Sequence, residues 1–183
     1  MTALRAAIVF ALLLPPAASP AVAQPASHEY EVRAAFVLNF VRYVDWPQGH
    51  RTPPLRICLF QDNPFGKYLD AAVSGERWQG GPIEIRVVDD ARPVRECHLL
   101  YVPANATDRF LSVAPEVSTT PVLTVGETPR FLTTGGMIQL FVDANRVRFT
   151  INHRSAQSAG LQVSSRLLRL ARTVVGESEM PRQ

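Results

Sequence analysis

Lysine is almost missing from this chain. Lys67 is the only one, so a formal charge of +3 rests on arginine. The arginines are scattered as far as Arg182 with no dense block, and without a basic run the chain lacks the electrostatic footprint of a nucleic-acid binder. Cysteine is scarce as well. Cys58 and Cys97 sit in no C-x-x-C pair and beside no basic cluster, which removes the usual settings of a reactive thiol. The histidines, His28, His50, His98 and His153, form neither H-x-x-x-H nor H-E-x-x-H, and no G-x-S-x-G elbow is present. G-x-G-x-x-G and G-K-[ST] are absent, so the Asn63-Pro64-Phe65-Gly66 turn is not a phosphate loop. No segment reaches 18 consecutive apolar residues, so no membrane-spanning helix is expected.

What is present begins with an export signal. Arg5 precedes an apolar run from Ala6 to Leu14, and Ala21-Val22-Ala23 is a small-x-small cleavage site. This pattern predicts a secretory signal peptide over 1–23, cut before Gln24, a soluble exported domain over 24–175 and a frayed tail over 176–183. In an oxidising compartment the two cysteines default to a disulfide. Closing the loop between residues 58 and 97 stabilises the fold by about 3–4 kcal/mol on the chain-entropy model.

Periodicity then sets the elements. A helix is expected from His28 to Val44, capped by Ser27, with Glu29 and Glu31 in its first turn. Val32, Phe36, Phe40 and Val44 form its stripe, Val37 and Val41 widen it, and Arg33, Asn39 and Arg42 leave a thin polar seam before Trp46-Pro47 ends it. Strands are expected at Leu55–Phe60, Ile83–Val88, Cys97–Val102 and Pro121–Val125. Between them lie a helix after Asp62-Asn63, with Pro64 at its first position, a Ser74–Pro82 loop, and a short helix after Asp89-Asp90. A further helix over Thr107–Val113, capped by Thr107 or Asp108, and a turn around Phe131 follow. Such alternation predicts an α/β domain with a mostly parallel sheet flanked by helices.

The last third closes it. Met137–Val142 and Arg146–Asn152 read as an antiparallel hairpin, its inner face Val147, Phe149 and Ile151 and its wet face Arg146, Arg148 and Thr150. Gly160 ends a short helical turn, and Ser164 or Ser165 caps a covering helix with Val163, Leu167, Leu170 and Val174 on one side. His98, inside an apolar strand, reads as a satisfied core histidine, and His153 as a surface one. Nothing here asks for a catalytic residue, metal or cofactor.

The order of motifs resembles the YfiR-like periplasmic proteins. It runs through Val32-Arg33-Ala34-Ala35-Phe36-Val37-Leu38-Asn39-Phe40, Asp45-Trp46-Pro47, Leu55-Arg56-Ile57-Cys58, Asn63-Pro64-Phe65-Gly66 and Cys97-His98-Leu99-Leu100-Tyr101-Val102. It closes with Gly135-Gly136-Met137-Ile138, Asn145-Arg146-Val147-Arg148-Phe149 and Ser164-Ser165-Arg166-Leu167-Leu168. The resemblance implies a non-enzymatic regulator. It would bind the periplasmic sensor domain of an inner-membrane diguanylate cyclase, repress cyclic-di-GMP synthesis, be sequestered by an outer-membrane-associated partner, and form a homodimer. It also implies that Cys58 and Cys97 match one family disulfide, while the family's second bridge is missing here. The surfaces offered to a partner are Arg146, Arg148 and Thr150 on the hairpin and Arg166, Arg169 and Arg172 on the last helix, arginine being favoured at interface hot spots. The alternative is a small-ligand module using the crevice at the carboxyl ends of the parallel strands, near Asp62 and Gly126.

Overall fold

The structure, a computed structural model, describes residues 25–176, so the expected signal peptide and all but the first residue of the expected tail lie outside the described residues. In chain order the elements are α1 (Pro25–Arg42), β1 (Val44–Asp45), β2 (Leu55–Phe60), α2 (Lys67–Val73), β3 (Arg77–Trp78), β4 (Gly81–Val88), α3 (Ala91–Val94) and β5 (Leu99–Val102). They continue with α4 (Thr107–Phe110), α5 (Ala114–Val117), β6 (Leu123–Gly126), α6 (Pro129–Thr133), β7 (Ile138–Asp143), β8 (Arg146–Asn152), α7 (His153–Ser158), β9 (Gln162–Val163), α8 (Ser165–Leu170) and β10 (Thr173–Val175).

Eight strands form one sheet in the order β10-β8-β7-β6-β5-β2-β4-β3, and β1 pairs separately with β9. The five strands β4, β2, β5, β6 and β7 are mutually parallel, as the strand–helix alternation requires. β7 and β8 make the expected hairpin, Ile138 opposite Ile151 and Asp143 opposite Arg146. Its two-residue turn puts Ala144 at φ 47° and Asn145 at φ 59°, the positive values that match the twist of paired strands.

Each face of the sheet carries its own core. One lies beneath α1 and α2 and takes in Phe40, Trp46, Leu59, Tyr101, Leu140, Phe149 and Leu167. The other lies under α3 to α6 and takes in Phe60, Leu100, Val102, Phe110 and Phe131. Cys58 and Cys97 are bonded within the second core, their Cα atoms 5.9 Å apart, so the bridge ties β2 to the residues entering β5.

Several local expectations shift. α1 begins at Pro25, where a missing N–H costs nothing, so Ser27 lies inside the first turn rather than at the cap. It ends at Arg42, and Val44 is buried by pairing with Val163 of β9 instead of continuing the helical stripe. Asn63 accepts from the Phe65 N–H at 3.0 Å in a local turn, so Pro64 precedes α2 and Gly66, at φ 53°, occupies its cap position. The Ser74–Pro82 segment is not all loop: Arg77 and Trp78 pair back onto Pro82 and Gly81 around a Gln79-Gly80 turn. Neither Thr107 nor Asp108 caps α4; Ala106 holds that position, and the Thr107 hydroxyl lies 3.1 Å from that of Thr128. Ser164, of the two serines weighed, caps α8. That helix stops at Leu170, which is 63% exposed, and Val174 belongs to β10, which pairs in parallel with β8. β10 therefore lies outside the hairpin, at one edge of the sheet.

Candidate functional site

Strand order reverses between β2 and β5, the switch point at which open α/β sheets ordinarily hold ligands. Here that position is filled from within. Phe65, in the turn after β2, meets the Tyr101 ring at a centroid distance of 4.6 Å and the Tyr30 ring of α1 at 5.8 Å. Glu127, the residue after β6, points its carboxylate into the same place. One oxygen accepts from the Tyr101 hydroxyl at 2.6 Å and the Tyr30 hydroxyl at 3.2 Å, and the other accepts from the Ala104 N–H at 3.0 Å. Arg33 completes the cluster. Its guanidinium contacts Glu29 at 2.6 Å and lies 3.8 Å from Glu127, and it donates to the Leu140 carbonyl at 3.4 Å.

Arg33 is thus a buried ion-pair residue, not part of an exposed polar seam. Its chemistry follows from enclosure. Burial raises the Tyr101 phenol well above its ordinary range, and the Glu127 carboxylate pushes the same way. Tyr30 is pushed up to about 12 by burial first and by Glu127 second. Burial pulls Arg33 down, but Tyr101, Glu29 and Glu127 together hold it above its ordinary value. All three groups keep one protonation state at neutral pH, and their hydrogen bonds hold α1 against the strand ends. Asp62 is exposed and accepts from the Asn63 N–H, while Gly126 is backed by the Phe131 ring, which an added Cβ would meet at 2.4 Å. Among the described residues no group of three or more His, Cys, Asp or Glu is placed to hold a metal.

His98 is buried, as its strand context indicates, and its Nδ1 accepts from the Arg56 N–H at 3.1 Å. The Trp46 and Trp78 rings stand 6.0 and 5.1 Å away. Burial lowers its pKa, outweighing the His50 carbonyl, which pulls the other way.

The second surface is the outer face of the hairpin. Val147, Phe149 and Ile151 pack into the first core, which leaves Arg146, Arg148 and Thr150 on the opposite side. The second core takes in residues of β2, β4 and β5, and the Phe131 ring backs Gly126 of β6, but no residue of β7 or β8 belongs to that core. Arg146 and Arg148 are accordingly exposed. Thr150 is only 9% exposed, because Gln139 and Thr173 flank it in register on either side. Arg172 joins the hairpin, its backbone N–H bonded to the Phe149 carbonyl and its side chain 3.8 Å from Asp143. Arg166 is directed elsewhere, over the Tyr43 ring at 5.4 Å, and Arg169 is exposed on α8. The six residues do not form one patch: Arg146, Arg148 and Arg172 share the hairpin, and Arg166 borders α1.

Sequence periodicity missed the cluster around Glu127. The available signal was Arg33 itself, a cation within a mostly apolar helix with Glu29 four residues before it.

Two solved structures share the fold. One is an ABC domain in complex with L-Trp from Streptococcus pneumonia, at a TM-score of 0.50 and 13% identity, over 82% of this chain and 60% of that one. The other is a conserved domain protein from Vibrio cholerae O1 biovar eltor, at 0.51 and 10%, over 79% and 60%. The chain therefore spans less than two thirds of either. No curated protein matches it. A family profile described as YfiR/HmsC-like matches residues 30–172, which include most of α1, both cores, the disulfide and the hairpin, and the chain belongs to that family.

Proposed function

We propose that this protein is a periplasmic regulator that acts by binding, holding the periplasmic sensor domain of an inner-membrane diguanylate cyclase in its inactive state. Membership of the YfiR/HmsC-like family supports regulation of cyclic-di-GMP signalling from the periplasm. The observation that carries the docking site is the uncovered face of the β7–β8 hairpin, where Arg146 and Arg148 stand exposed beside Arg172. An antiparallel pair commonly leaves one face to solvent, and a cationic one suits an acidic patch on a partner. A repressor needs no reactive group; it needs higher affinity for one state of its target. A small-ligand site at the strand ends has less support, because Phe65, Tyr101 and Glu127 fill that space.

The test is a cyclic-di-GMP reporter in a deletion strain complemented with variants. Deletion should raise the signal, wild type should restore it, and the Arg146→Glu/Arg148→Glu double variant should not, although its melting temperature matches wild type. An unchanged reporter on deletion overturns the regulatory role. Full complementation by the double variant moves the docking site elsewhere.

A further inference from the structure

The end of the sheet opposite the Glu127 cluster, where β2 and β5 begin, carries a cleft of about 240 Å³ walled by the end of α1, β1 and the β3 turn. The chain has two tryptophans, and both line it. Trp46 is buried and meets Trp78 edge-on at a centroid distance of 6.1 Å, which fixes the half-buried Trp78 ring in the wall. Three guanidinia share the lining, and they differ in what they already hold. Arg42 is taken up by Glu76 at 2.5 Å. Arg51 donates its Nε–H to the Trp46 carbonyl, but its terminal nitrogen lies 3.7 Å from Asp45, beyond hydrogen-bond reach. Arg77 donates to the Gly80 carbonyl and pairs with no carboxylate among the described residues. Two cations therefore face the cleft with little to neutralise them.

We propose that this cleft binds a phosphate monoester carried on a small planar ring, the phosphate held by Arg51 and Arg77 and the ring set against Trp78. A phosphate monoester carries a charge of about −1.5 to −2 at neutral pH, which matches two guanidinia, and a guanidinium can grip it through two N–H groups at once. A carboxylate would match one of the two and leave the other unpaired. Asp45 is the one carboxylate in the lining, and its exposed, long contact with Arg51 is of the kind that contributes little, so a dianion displaces it. The indole offers the flat apolar surface that a ring stacks on. The volume lies just below the ordinary range of ligand pockets, which suits one ring with one phosphate and excludes a dinucleotide. The site does not depend on the proposed repressor role.

Phenyl phosphate serves as the probe, and intrinsic tryptophan fluorescence as the readout, since both tryptophans border the cleft. Titrated into the purified protein in a phosphate-free buffer, it should bind with a dissociation constant of about 1 mM or below. Inorganic phosphate, which lacks the ring, and phenol, which lacks the charge, should each bind at least about fivefold more weakly. Arg77→Gln should weaken phenyl phosphate by about tenfold, the loss of one charge-assisted contact. Asp45, Trp46 and Arg51 also border a neighbouring cleft of about 270 Å³, but Arg77 does not, so this variant locates the site. Asp45→Asn should tighten binding by about two- to fivefold by removing the competitor for Arg51, a gain that loss of fold cannot imitate. No fluorescence change up to about 10 mM phenyl phosphate, phenol or inorganic phosphate binding as well as phenyl phosphate, or either variant binding like wild type would each overturn the proposal.

Discussion

At the scale of single residues, Glu127 and Arg33 bury charges that only their neighbours can satisfy. Truncating Glu127 to Ala removes one of the guanidinium's two carboxylate neighbours and leaves two phenols and the Ala104 N–H without that acceptor. Because Glu29 still pairs with Arg33, the expected loss is about 3 kcal/mol, the low end for breaking a buried pair, measured by urea unfolding. His98 makes a prediction in pH. Its folded pKa lies below the ordinary 6.5, so the unfolded chain takes up the proton first as pH falls. Its contribution to stability is intact above about 6.5 and declines as pH drops below it. Replacing His98 with Asn should flatten the stability profile as pH falls below 6.5; an unchanged slope would show that other groups set it.

At the scale of elements, the parallel strands and the hairpin were legible because their signals are local. Apolar runs of strand length bounded by turn residues mark β2 and β5, and strict alternation marks β8. The same holds for Asp90 at the start of α3, whose side chain accepts from the Ala91 N–H. What escaped was set by distant partners. Val44 reads as helix until β9 offers it a strand to pair with, and Val174 reads as helix until β8 does the same. The candidate site divides likewise. Exposed Arg146 and Arg148 follow from period two, whereas the burial of Thr150 depends on β10, and Glu127 looks like a loop carboxylate until α1 is laid over it. The disulfide belongs to this scale too, since it staples β2 to the start of β5. Replacing both cysteines with Ala should lower stability by about 3–4 kcal/mol by chemical denaturation, following the 39-residue separation.

At the scale of the whole molecule, the two ends of the sheet differ. The hairpin end leaves Arg146 and Arg148 exposed, and at the β4 end no strand among the described residues lies outside Ile83 to Val88. The intervening strands, buried on both faces, hold the two ends at fixed separation. One further consequence lies in the order in which the chain is made. α1 comes first, yet Tyr30 bonds a residue 97 positions later, Arg33 a carbonyl 107 positions later, and Phe36 and Phe40 pack against Phe149. Contacts that span so much sequence form slowly. The opening helix can meet α2 and Phe65 early, but the part of its apolar face that packs on Phe149 stays unsheltered until the hairpin has been made, and that interval is when a chaperone matters most.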